Sequence, residues 1–213
     1  MTMQIASIIK KQRGSTRHNG LLQGRSDAGF TLIELLISIA IFLFLAGMVL
    51  VNFRGVNKLE AFRNDSKTLA SLLRDAQNRA LSGVNFAGSF PRGGYGLHIT
   101  PCGAPPCGYQ IFADIVENQR LEAADGLLDV GMLSEFTLVT SVKVLGLAPE
   151  ERTSVDVSFK PPRPTPFVGW DESSNAAQEA MTVEILLTYT EDAGNQRLIT
   201  VKGISGQVSE EVR

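Results

Sequence analysis

Residues 29–53 read Gly29-Phe30-Thr31-Leu32-Ile33-Glu34-Leu35-Leu36-Ile37-Ser38-Ile39-Ala40-Ile41-Phe42-Leu43-Phe44-Leu45-Ala46-Gly47-Met48-Val49-Leu50-Val51-Asn52-Phe53. No charged residue falls between Leu35 and Phe53. At 1.5 Å rise per residue, the roughly 24 residues from Phe30 to Phe53 make a helix of about 36 Å, enough to cross a hydrocarbon core with some tilt. A run this long with no polar face does not suit the core helix of a globular domain. A secretory signal is the competing reading. Its apolar region spans about 7 to 15 residues and ends in a small-x-small cleavage site. This run is longer and ends in Val51-Asn52-Phe53-Arg54. Glu34 is the anomaly: a carboxylate costs about 2.5 to 3.5 kcal/mol at a membrane centre, so its presence near the start of the run marks it as a functional candidate.

The stretch Gly29-Phe30-Thr31-Leu32-Ile33-Glu34-Leu35-Leu36 closely resembles the processing site of type IV prepilins and type II secretion pseudopilins. The resemblance implies cleavage after Gly29 by a membrane-bound prepilin peptidase, and N-methylation of the new terminal residue Phe30. It implies that Glu34 pairs with the terminal ammonium of a neighbouring subunit during assembly. The physics agrees with that role, since a desolvated carboxylate is costly alone and a cation within about 4 to 6 Å favours its charged form.

Orientation also rests on the resemblance. Lys10, Lys11, Arg13, Arg17 and Arg25 precede the run, but Arg54, Lys58, Arg63 and Lys67 follow it. The basic-residue bias is therefore weak. Prepilins keep the leader in the cytoplasm and the body outside the inner membrane. Three details depart from the family pattern. The leader is long, with an internal Met3; Asp27 lies close to the cut, where the family prefers a base; and the apolar run lacks the proline many major pilins carry.

The chain has 213 residues, with 20 Lys and Arg against 22 Asp and Glu. Loss of residues 1–29 removes five bases and one acid, leaving 15 and 21 and a mature net charge of −6. That balance argues against a broad nucleic-acid surface. The expected organisation is a leader at 1–29, a transmembrane helix at 30–53, an extracytoplasmic amphipathic helix at 54–83 and a β-rich domain at 84–213.

Helical spacing supports the third of these. Val56, Leu59, Phe62, Leu69, Leu72, Leu73, Ala76 and Ala80 recur at intervals of three and four, with charged residues between them. The alternative is a separate short helix, with a break between Asn52 and Asn57. Ser82-Gly83 provides the stop.

Beyond Gly83 the pattern becomes short β-branched runs bounded by Gly, Pro and Asn. Strands are expected at Tyr95–Thr100, Tyr109–Val116, Phe136–Leu145, Ser154–Lys160, Phe167–Trp170, Thr182–Tyr189 and Arg197–Val201, with a last one at Gln207–Val208. A hairpin across Asp192-Ala193-Gly194-Asn195 joins two of them. Pro161-Pro162-Arg163-Pro164 reads as loop or edge, because proline lacks the ladder donor. The fold expected is α+β: a long N-terminal helix packed on an antiparallel β-sheet domain, pilin-like. The order is similar to that of H-type minor pseudopilins and FimT-like minor pilins. The supporting body motifs are Gly94-Tyr95-Gly96-Leu97, Tyr109-Gln110-Ile111-Phe112-Ala113-Asp114 and Ile204-Ser205-Gly206-Gln207-Val208.

Cys102 and Cys107 are the only cysteines. Outside the cytoplasm such a pair can be bridged, which would pin the turn between the first two strands. The alternatives are two unpaired small hydrophobes, or a two-thiolate metal site for which His98 offers too few partners. Asp114, Glu117, Asn118, Glu122, Asp125 and Asp129 form an acidic cluster without the alternating ligand spacing of a calcium loop, so a solvated loop is expected. No Ser/His/Asp or Cys/His arrangement and no phosphate-binding glycine loop is visible. The reading is therefore a non-enzymatic subunit with no cofactor and no metal. Its partners would be other pilins, the peptidase and the inner membrane. The rivals are a major structural pilin, and a DNA-uptake minor pilin of the kind that uses a basic C-terminal segment. Gln207-Val208-Ser209-Glu210-Glu211-Val212-Arg213 is not such a segment.

Overall fold

The computed structural model describes residues 29–146, 150–163, 165–171 and 177–213. The leader at 1–28 and Pro164 of the proline-rich loop lie outside the described residues. Among the described residues one helix, α1 (Leu32–Ser82), is followed by eleven strands. These are β1 (Gly94–Ile99), β2 (Gly108–Asp114), β3 (Gly126–Met132), β4 (Thr137–Leu145), β5 (Glu150–Glu151), β6 (Val155–Phe159), β7 (Pro166–Trp170), β8 (Gln178–Glu179), β9 (Thr182–Tyr189), β10 (Asp192–Val201) and β11 (Val208–Val212). The architecture is α+β, as expected. The chain forms two compact units, one ending at Ala46 and one running from Gly47 to Arg213.

Helix α1 is helical throughout, so no break falls between Asn52 and Asn57. In the second unit its apolar stripe is buried: Phe62, Leu69, Ala70, Leu73, Ala76 and Ala80 lie in the core, with Leu59 and Leu72 half-buried beside them. Burying a side chain such as Phe62 contributes about 1.5 to 3 kcal/mol. The stop is a Schellman-type cap. Gly83 adopts φ 66°, its N–H donates to the Ala80 carbonyl at 3.4 Å, and the Val84 N–H donates to the Arg79 carbonyl at 3.2 Å.

The strands form two antiparallel sheets, ordered β3-β2-β1-β6-β7-β8 and β11-β10-β9-β4-β5. Period-two alternation turns one face of each into the shared core. Tyr95, Leu97 and Ile99 point inward from β1; Val183, Ile185 and Leu187 do so from β9. The glycines of the Gly94-Tyr95-Gly96-Leu97 motif have separate reasons. Gly94 holds φ 90° with its α-carbon against the Phe159 carbonyl. A Cβ at Gly96 would stand 2.5 Å from the Phe112 ring, so the missing side chain is what admits that ring.

Besides the two-residue strands β5 and β8, three features differ from the sequence expectation. Gly126–Met132 is a strand, with Asp129 inside it, rather than the end of a loop. The β9–β10 hairpin turns tightly, pairing Tyr189 with Asp192, and residues between Asp192 and Gln196 form an irregularity within β10. The last strand is Val208–Val212, longer than expected and shifted toward the terminus.

Polar contacts bind the helix to the body. Asp65 Oδ2 accepts from the Ser134 N–H at 2.9 Å, the Ser134 hydroxyl at 2.6 Å and the Thr137 hydroxyl at 2.5 Å. Arg74 Nη2 donates to the Val208 carbonyl at 3.0 Å, and Gln77 Nε2 to the Gly206 carbonyl at 3.1 Å. Buried Ser66 donates to Glu210, whose carboxylate also takes Arg197 at 2.5 Å.

Candidate functional site

The N-terminal segment is built by the cap of α1. Thr31 is the N-cap: its Oγ1 accepts from the Glu34 N–H at 3.3 Å, and its carbonyl takes the Leu35 N–H at 3.2 Å. Thr31-Leu32-Ile33-Glu34 thus has the T-x-x-E spacing of a capping box, with Glu34 in the first turn. An acid there also suits the positive end of the helix dipole. Ser38 returns its hydroxyl to the Glu34 carbonyl at 2.8 Å, which keeps a second polar group off the apolar surface. Gly29 and Phe30 precede the helix and are exposed.

From Leu32 to Val49 the helix is long and apolar enough to span a bilayer, and that window is entirely unburied by the chain. Its side chains therefore need an environment the chain does not supply. Glu34 stands exposed among them. A Cβ added at Gly29 would meet nothing within 4 Å. Among the described residues nothing in the fold demands glycine at this position.

Residues 24–50 match the family model described as the prokaryotic N-terminal methylation motif. No curated protein and no solved structure matches the chain. The motif supports a type IV pilin-like protein, a membrane-anchored subunit processed by a prepilin peptidase and assembled with other pilins.

Gly29, Phe30 and Glu34 belong to the first compact unit and the two cysteines to the second. Cys102 and Cys107 are joined by a disulfide, with α-carbons 5.7 Å apart. The bridge does more than close a turn. The Cys102 N–H donates to the Val139 carbonyl at 3.0 Å, and the Val139 N–H reaches Cys107 Sγ at 3.3 Å. Val139 lies in β4, so the sulfur-bridged loop of one sheet is hydrogen-bonded to the other sheet. The Leu133 N–H adds a bond to the Cys107 carbonyl at 2.8 Å.

The acidic cluster is a solvated loop only in part: Glu117, Glu122 and Asp129 are exposed, but its first member is not. Asp114 is fully buried. Its two oxygens accept from the Glu117 N–H at 2.6 Å and the Gln119 N–H at 2.5 Å. Those two residues hold φ 67° and 60°, which the bonds to Asp114 help fix. Burial pushes the Asp114 carboxyl up from its ordinary range against the pull of these amides, and nearby Asp125 adds to the rise. Asp125 accepts from the Ile115 N–H at 2.9 Å and the Glu122 N–H at 2.8 Å. The aspartates at both ends of the loop thus spend oxygens on backbone amides.

Arg120 anchors the loop's middle. Its Nη2 donates to the Trp170 carbonyl at 3.0 Å and to the Asp171 carbonyl, and its Nε stands 3.8 Å from Asp156 Oδ2. The stem crosses the bare α-carbon of Gly169, where an added Cβ would lie 2.9 Å from Arg120 Cγ. The other oxygen of buried Asp156 takes His98 Nδ1 at 2.7 Å, and His98 Nε2 stands 3.2 Å from Thr100 Oγ1. This Thr100–His98–Asp156 row was invisible in the sequence, because His98 and Asp156 are 58 positions apart. Register supplies it, since β1 and β6 pair His98 opposite Asp156. Thr31, Asp65 and Arg120 were equally unmarked; only the T-x-x-E spacing before an apolar run could have pointed to the first of them.

Proposed function

We propose that this chain is a minor pilin or pseudopilin that waits in the inner membrane with its leader in the cytoplasm and its β domain outside. Prepilin peptidase cuts after Gly29, Phe30 becomes the methylated terminus, and the N-terminal helix carries the subunit into a type II secretion pseudopilus or a type IV pilus. The β domain contacts other subunits or cargo, and the chain is not an enzyme. The observation that carries the reading is the pairing of a glycine the fold does not need with an exposed carboxylate five residues on, at the head of an unburied apolar helix.

In this reading the Thr100–His98–Asp156 row serves structure. Asp156 is a buried carboxylate that its partners His98 and Arg120 hold. The terminal strand argues against the DNA-uptake alternative, since β11 carries Glu210 and Glu211.

Glu34→Gln tests the assembly role. Glu34 is exposed at the head of the helix, so folding, insertion and cleavage should be unchanged. Incorporation into the filament should fall by roughly tenfold or more, matching the 1.5 to 3 kcal/mol typical of a charge-assisted bond. Wild-type incorporation of Glu34→Gln, read by cross-linking to partner pilins, would remove Glu34 from the assembly contact.

A further inference from the structure

We infer that the free edge of β3 is a docking edge for an extended, apolar, base-bearing strand from a different protein chain. Among the described residues the two sheets present four edges, and three are guarded. β5 and β8 are two residues long and carry Glu150, Glu151 and Glu179. β11 carries exposed Glu211, while Glu210 is taken up by Arg197 and Ser66. Short edges and edge charges are the usual protection against strand addition. β3 runs for seven residues, Gly126-Leu127-Leu128-Asp129-Val130-Gly131-Met132, with no lysine, arginine or proline. Among the described residues its backbone pairs only with β2.

The side chains agree. Leu127, Val130 and Met132 are 51%, 55% and 67% exposed, and exposed Ile115 and Val116 follow the neighbouring strand. The register slips beside Leu128, which leaves Asp129–Met132 as the regular run open to pairing. Val130 and Met132 also wall a hollow of about 260 Å³ with His98, Gln110 and Pro106. An added strand would lay alternate side chains on that wall.

Charge selects the occupant. Asp129 is the one charged residue of β3, and the β3 strand of a second copy cannot answer it. Pairing two β3 strands about their midpoint sets Asp129 opposite Asp129, which is repulsive. Pairing Asp129–Met132 with itself sets Asp129 opposite Met132. No β3 strand offers a lysine or arginine to set across from Asp129, so the proposed occupant is a base-bearing strand of another chain. The proposal rests on the filament reading only for identifying that other chain as a neighbouring subunit.

The test uses the purified full chain in detergent and two probe peptides, acetyl-Thr-Val-Lys-Val-Thr-Val-amide and its Lys-to-Glu counterpart. Amide hydrogen exchange is followed over residues 126–133. The lysine peptide at millimolar concentration should slow exchange there by about fivefold or more, since exchange reports local opening. The glutamate peptide should not, and Asp129→Asn should lose the difference between them. Val130→Lys, at an exposed position that leaves the fold intact, should abolish protection. No slowing with the lysine peptide overturns the proposal, as does equal slowing with both peptides. Slowing that depends on protein concentration alone overturns the different-chain assignment. Failure of the filament reading shows separately, as a chain that is not cut after Gly29.

Discussion

Asp65→Ala probes how firmly the helix is joined to the body. One oxygen of Asp65 accepts three bonds, from the Ser134 N–H, the Ser134 hydroxyl and the Thr137 hydroxyl. Thr137 is fully buried, so its hydroxyl has no water to turn to. Bonds to an ionised acceptor are worth about 1.5 to 3 kcal/mol each, and a buried donor left unmatched costs about 1 to 3 kcal/mol. The losses do not add, because the two hydroxyls stand 3.3 Å apart and can bond each other once the carboxylate is gone. The net loss is therefore about 3 kcal/mol, or roughly 6 to 12 °C in Tm for a domain of this size. Thermal and urea unfolding of the full chain in detergent, followed by Trp170 fluorescence, reads it. Asp65→Asn keeps the shape and an acceptor, and should lose about half as much. A change of less than about 0.5 kcal/mol in Asp65→Ala would refute the reasoning, because that is the scatter of ordinary surface substitutions.

Further outcomes follow from the same contacts. Breaking the Cys102–Cys107 bridge, by reduction or by paired serine substitution, should cost about 2 kcal/mol from loop closure alone; it should also speed exchange at the Val139 amide, and unchanged exchange there would confine the bridge to its own turn. Asp114 gives a pH signature. Its unfolded carboxyl titrates near 3.8 and its folded one higher, so between the two the folded state holds a proton the unfolded state has released. Its contribution is fully present below the unfolded value and lost as pH rises through the folded one. Asp114→Asn should flatten that fall in unfolding midpoint above pH 4; a midpoint profile identical to wild type would contradict the buried titration.

The parts of the molecule that were readable from residues are those with a strong period. The apolar run, its helical continuation to Ser82 and seven strands all carry patterns that local sequence displays, and Gly83 marks the stop by its own conformational freedom. What was missed depends on partners distant in sequence. β3 hid because Leu127 and Val130 sit between glycines and acids, and it becomes a strand only by pairing with β2. β5 and β8 are too short to show a period. Asp114 and Asp125 looked like solvent-facing acids, since composition does not reveal that loop amides fill their oxygens. Glu34 was legible for the opposite reason: a charge in an apolar run stands out without any structure. Thr31 beside it acquired a role only when the helix start was fixed.

In the proposed function, cleavage creates the working terminus of the subunit. Intact-mass and N-terminal peptide mass spectrometry of the chain extracted from membranes tests it most directly. The mature chain is expected to begin at Phe30, heavier by one methyl group at that residue, with Gly29→Ala accumulating uncut precursor. A chain that still begins at Met1 or Met3, or one cut near Ala46 as a secretory signal would be, contradicts it.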